Sequence, residues 1–81
     1  MKVGWNVFQY HDHDTDSGIL MAVRKENSPF SSANISLKGL KERRSYQFTN
    51  FDTNKRISSD GEIKIVLPQK RTSVIFEYKL S

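Results

Sequence analysis

Apolar residues in this chain come in short runs with a period of two, and polar turn clusters separate them. No stretch of ten or more residues carries apolar side chains at the i, i+3, i+4, i+7 spacing of an amphipathic helix. Trp5 to Tyr10 opens the series, with Trp5 and Val7 on one face and Phe8 and Tyr10 on the other. Bulky groups on both faces predict a strand covered on each side. The polar segment His11 to Gly18 follows as a turn, and the continuous run Ile19 to Val23 reads as a central strand. Arg24 to Ser32 is a polar loop containing Pro29. Ala33 to Lys38 then alternates cleanly, with Ala33, Ile35 and Leu37 inward and Asn34, Ser36 and Lys38 outward, and Gly39 ends it.

The second half repeats the pattern. Lys41 to Arg44 is a charged turn. Ser45 to Phe51 alternates with Tyr46 and Phe48 inward, and Asp52 to Lys55 is a tight turn. Arg56 to Ser58 reads as a short edge strand, and Ser59-Asp60-Gly61 carries the Asp-Gly signal of a hairpin. Ile63, Ile65 and Leu67 alternate until Pro68 stops the strand. The last run, Ser73 to Leu80, sets Val74, Phe76 and Tyr78 on one face and Ile75 on the other. About seven short strands at this spacing predict an all-β sandwich. Its expected core is Phe8, Leu20, Ala22, Ile35, Leu37, Tyr46, Phe48, Ile65, Leu67, Val74 and Phe76.

Composition narrows the picture. The 81 residues allow one domain, 1–81, with a thin core. Alanine, the best helix former, occurs only at positions 22 and 33, while Val, Ile, Thr and aromatics are frequent. The chain has no cysteine, which excludes disulfides, thiol catalysis and cysteine-held metals. No run approaches the ~18 apolar residues of a membrane span, and the start lacks the apolar stretch of a signal peptide. The cytoplasm is the expected compartment and no membrane partner is expected.

The formal net charge of +4 raises the question of nucleic acid. Arg43-Arg44, Lys55-Arg56 and Lys70-Arg71 all sit in predicted turns, where solvated charge is the ordinary reading. A nucleic-acid-binding β-barrel would interleave exposed aromatics with these charges. The aromatics instead share faces with aliphatics, so no nucleic-acid partner is expected, and a small basic barrel is the least favoured alternative.

His11-Asp12-His13-Asp14-Thr15-Asp16 is the densest group of chemical side chains. Asp12, Asp14 and Asp16 imitate the opening of an EF-hand loop, but Ser17 stands where glycine is needed and Val23 where the bidentate glutamate belongs. An acidic hairpin turn is the simpler reading, with no metal or other cofactor. No catalytic constellation assembles either. Both histidines lie in this one turn, no G-x-S-x-G elbow exists, and Glu62 and Glu77 are solitary strand charges. A sandwich this small is also expected to lack room for a pocket of ~300 Å³ beside its core. Trp5, and with it Tyr10, could serve as a sugar-stacking platform or as an anchor against a neighbouring domain. Trp5 could equally be a core plug.

Read whole, the chain resembles the C-terminal domain of family 36 glycoside hydrolases, the α-galactosidase group. The resemblance is carried by Trp5-Asn6-Val7-Phe8-Gln9-Tyr10-His11-Asp12, matching W-x-x-x-Q-Y-x-D. It continues through Gly18 to Arg24, an apolar strand ending in Arg, and Leu37-Lys38-Gly39-Leu40 with a Tyr strand at Tyr46. Phe51-Asp52-Thr53-Asn54 and Ile65-Val66-Leu67-Pro68, before a terminal aromatic strand, complete it. It spans nearly the whole chain. It implies an antiparallel β-sandwich with Greek-key connections, packed on a catalytic (β/α) barrel of the same parent chain, with possible self-association through the parent. The family's catalytic aspartates belong to that barrel, and none of their motifs occurs here. On this resemblance the chain is expected to be a non-catalytic accessory domain of an α-galactosidase-like enzyme, with Met1 an added start and Ser81 the natural end. A carbohydrate-binding module is the alternative.

Overall fold

The computed structural model describes residues 4–41 and 43–81. Among these, seven strands form and no helix: β1 (Trp5–Asp12), β2 (Ser17–Arg24), β3 (Ser32–Ser36), β4 (Tyr46–Asn50), β5 (Arg56–Ser59), β6 (Glu62–Val66) and β7 (Thr72–Leu80). All pairings are antiparallel. One sheet has five strands in the order β1-β2-β7-β4-β5, and the other pairs β3 with β6. The chain is an all-β sandwich, as the alternation predicts, and its connections cross between the two antiparallel sheets. No helix of the described residues is long and apolar enough to cross a membrane.

The core lies between the two layers. Trp5 from β1, Leu20 and Ala22 from β2, Val74, Phe76 and Tyr78 from β7, and Tyr46 and Phe48 from β4 meet Ala33, Ile35, Ile63 and Ile65 of the small sheet. Every one of these obeys the period of two, because only alternate side chains of a strand reach the inner face. Leu37 lies just past the end of β3 and is only partly buried, packed against the core rather than within it. Phe8 corrects the expectation outright. It is 58% exposed. A two-stranded layer can cover only the inner face of the large sheet, so the Phe8 face of β1 is left bare among the described residues.

The Ser59-Asp60-Gly61 turn also departs from expectation. β5 and β6 do not pair, so this turn carries the chain from one sheet to the other instead of closing a hairpin. Hairpins at polar clusters do join β1 to β2, with Asp12 opposite Ser17 and residues 13–16 as the loop, and β4 to β5 across residues 51–55.

Two polar devices fix the layers. Arg24 ends β2 on the inner face and is 6% exposed. Its guanidinium donates from Nη1 to the carbonyls of Leu67 (2.8 Å) and Pro68 (2.9 Å), and from Nη2 to that of Ser28 (3.2 Å). The strand exit, the 25–31 loop and the β6–β7 connection are thereby joined by one planar fork. At the opposite end Gln9 clamps the Lys38 backbone, its Nε2 donating to the Lys38 carbonyl at 2.7 Å and its Oε1 accepting from the Lys38 amide at 2.9 Å.

Candidate interaction face

The outer face of the large sheet carries the side chains of opposite parity to the core. Register places Phe8 beside Met21 and Met21 beside Ile75. The row continues to Phe51, whose amide donates to the Ile75 carbonyl at 2.9 Å just beyond the Asn50–Phe76 pair. Three apolar side chains thus stand abreast on β1, β2 and β7, and Phe51 follows just past the end of β4, the row spanning about 14 Å at the ~4.8 Å strand spacing. Phe51 is 62% exposed and Ile75 is also exposed, while Met21 and Val23 are half-buried. Single exposed apolar residues are ordinary; a contiguous row of them marks an interaction surface.

The next row toward the β1–β2 turn differs in kind. Tyr10, 65% exposed, pairs with Ile19, which pairs with Glu77, which pairs with Thr49. With Asp12, Ser17, Gln47 and Lys79 these line a shallow groove of about 480 Å³. A second cleft of about 470 Å³ opens between β1 and β3, lined by Trp5, Val7, Gln9, Ala33, Ile35 and Lys38 among others. The expectation that so thin a sandwich leaves no such space is not met. A two-stranded layer does not fill the whole inner face of a five-stranded sheet, and space remains between β1 and β3.

Neither cleft assembles a recognisable reactive centre. Among the described residues, Lys38 is the one charged side chain lining the cleft between β1 and β3. Glu77 is not solitary, since the groove also holds Asp12, but the two lie on strands separated by β2 and one row apart. Their backbone positions are about 12 Å apart from the strand spacing and rise.

Trp5 is withdrawn from the candidate contacts. It is 2% exposed, and its indole Nε1 donates to the Phe30 carbonyl at 3.1 Å, so it is a core plug and not a stacking platform. Tyr10 stays on the surface. The basic pairs are exposed as expected, and Arg71 is paired with Glu26.

Comparison of the chain with protein-family models, curated proteins and solved structures finds no match.

The His11–Asp16 segment forms a hairpin turn, yet it is not simply solvated. The parity that buries Trp5 and points Val7 and Gln9 inward also takes His11 inward, and its side chain is 7% exposed. The ring stacks on Tyr78 with centroids 5.8 Å apart, and Nδ1 lies 3.0 Å from the Tyr78 hydroxyl. That hydroxyl also accepts from Gln9 Nε2 at 2.9 Å and lies 3.3 Å from the Tyr10 carbonyl. Burial pushes the Tyr78 phenol above its ordinary pKa, against the opposing effect of the Gln9 hydrogen bond. Gly39 closes over the pair of histidines with φ of 80°, the left-handed region that suits glycine. An added Cβ there would come within 3.3 Å of both rings.

Asp16 completes this cluster. Lys41 Nζ lies 2.8 Å from its Oδ2, and His11 Nε2 stands 3.7 Å from Oδ1. Among the described residues no three acidic or imidazole groups converge as a metal site. The hydrogen bond from Lys41 holds the Asp16 carboxyl below the usual 3.8, outweighing desolvation. A folded-state pKa below the unfolded one adds stability above the unfolded value, and this is lost as acid titrates the folded group. Asp16→Asn is therefore expected to remove part of the acid-side fall in stability below about pH 4. Urea midpoints compared at neutral pH and at pH 3 check it, and an unchanged pH profile in the variant refutes it.

Proposed function

We infer that this domain is a non-catalytic accessory module that docks by the Phe8–Met21–Ile75–Phe51 row onto a neighbouring catalytic domain of the same polypeptide. The observation that carries the reading is that row: apolar side chains abreast on the open face of a rigid sheet. The resemblance to the C-terminal domain of α-galactosidase-like hydrolases supplies the occupant, a catalytic (β/α) barrel. Hydrolysis of terminal α-galactosides belongs to the barrel under this reading. The sandwich contributes buried area and orientation.

Burying Phe8 and Ile75 at such a contact contributes about 1.5–3 kcal/mol each. Phe8→Lys with Ile75→Lys is expected to leave the melting temperature of the 81-residue chain within about 2–3 °C, since both are exposed in it. In the full polypeptide the same pair should lower thermal stability and open the domain junction to protease. Equal melting and equal protease resistance of full-length wild type and variant overturn the docking reading, as does a polypeptide with no barrel beside this chain. Turnover of a chromogenic α-galactoside by the isolated chain, above blank, overturns the non-catalytic part.

A further inference from the structure

The groove at the turn end of the same sheet has chemistry that docking does not use. Its polar side chains stand on four adjacent strands, so their spacing is set by the sheet rather than by a mobile loop. Within the described protein the side chains of Tyr10, Gln47, Thr49, Glu77 and Lys79 make no hydrogen bond or ion pair to another residue. An exposed phenol ring is therefore surrounded by an amide, a hydroxyl, a carboxylate and an ammonium, all with unused hydrogen-bonding capacity.

The composition of the groove discriminates among ligand classes. Asp12 and Glu77 repel phosphates, sulfates and nucleic-acid backbones. Lys79 and the wide separation of the two carboxylates disfavour a metal cation. An apolar helix or strand would meet Tyr10, Tyr78 and one isoleucine amid mostly polar groups. A neutral polyhydroxylated ring meets all of them: its C–H face covers Tyr10 and Ile19, and its hydroxyls both donate to carboxylate and amide oxygens and accept from the amide and ammonium. A groove of about 480 Å³ is within the ~300–1,000 Å³ range of small-ligand sites.

We propose that the groove formed by Tyr10, Ile19, Gln47, Thr49 and Glu77 binds a neutral oligosaccharide. This site is separate from the docking row. Phe8, Met21, Ile75 and Phe51 lie one row toward the far end of the sheet, about 7 Å away at the strand rise, so the two rows use different side chains.

The test is a titration of the ¹⁵N-labelled 81-residue chain with raffinose, maltotriose and cellotriose, and with an oligogalacturonate as the acidic counterpart. At least one neutral trisaccharide is expected to shift the amide signals of Tyr10, Ile19, Gln47, Thr49 and Glu77 saturably at millimolar concentration. Tyr10→Ala should weaken that binding by about tenfold or more, while Tyr10→Trp retains it. Glu77→Gln, at an exposed position, should weaken it with the melting temperature unchanged. Phe8→Lys with Ile75→Lys should leave it intact, which separates failure here from failure of the docking reading. The proposal is overturned if none of the three neutral sugars moves these signals, if the oligogalacturonate binds more tightly, if the shifts centre on the cleft between β1 and β3, or if Tyr10→Ala changes nothing.

Discussion

Arg24→Met should destabilise the domain by about 3 kcal/mol or more, because hydrogen bonds to a charged group contribute ~1.5–3 kcal/mol and abandoned buried acceptors cost more. The methionine fills much of the volume. It leaves the carbonyls of Leu67, Pro68 and Ser28 without the donor that now serves all three. Native stability for 81 residues is on the order of 4–12 kcal/mol at the usual ~0.05–0.15 kcal/mol per residue, so this one change removes a large share. Arg24→Lys should recover only part of the loss. A single ammonium cannot reproduce a planar fork that reaches carbonyls on two different segments. Urea denaturation reads the result, with a lowered midpoint at unchanged slope expected for the methionine variant. A methionine variant as stable as the native chain would mean that water or other donors already satisfy those carbonyls, and the lock described here would be wrong.

Much of the fold was legible in the alternation alone. Ala33 and Ile35, Tyr46 and Phe48, and Val74, Phe76 and Tyr78 all sit where a period of two places them. That rule works because a strand half-covered by another layer sorts its side chains by parity. It failed at Phe8 for a physical reason. Apolar groups on both faces show that both faces want cover, but not whether this chain supplies the second cover. The Asp60-Gly61 turn misled in a similar way, since the dipeptide permits a tight reversal without deciding which strand the next one joins.

The polar machinery was harder to see. Parity already contained a clue: Trp5, Val7, Gln9 and His11 share one face, as do Leu20, Ala22 and Arg24, so His11 and Arg24 belonged inside. Their partners could not be read off, because Gln9 meets Lys38 and Arg24 meets Leu67 only once the two layers stack. The candidate groove shows the same limit. Tyr10 was a candidate contact from the sequence, whereas Glu77 and Gln47 gained meaning only when the register aligned their strands on the same outer face.

Gly18→Ala is expected to be among the most damaging single substitutions, because three elements converge on the space that its missing side chain leaves. Gly18 pairs with His11 on one side and Tyr78 on the other. A Cβ there would fall 2.1 Å from the Tyr10 carbonyl oxygen and 2.5 Å from the Tyr78 hydroxyl. The phenol could be removed or turned aside; the carbonyl belongs to the β1 backbone and cannot move without opening the hairpin. Overpacking ordinarily costs about 1–3 kcal/mol, and here loss of the Tyr78 contacts with His11 and Gln9 adds to it. Tyr78→Phe alone should cost about 1–2 kcal/mol, because it deletes the hydroxyl but leaves Gln9 bound to the Lys38 carbonyl. The two sites touch, so a double-mutant cycle distinguishes the causes. If the hydroxyl is the obstacle, Tyr78→Phe rescues Gly18→Ala. If the Tyr10 carbonyl or the Tyr78 ring carbon Cζ, 2.6 Å from an added Cβ, is the obstacle, the double variant stays at least as unstable as Gly18→Ala, and that is the outcome the geometry requires.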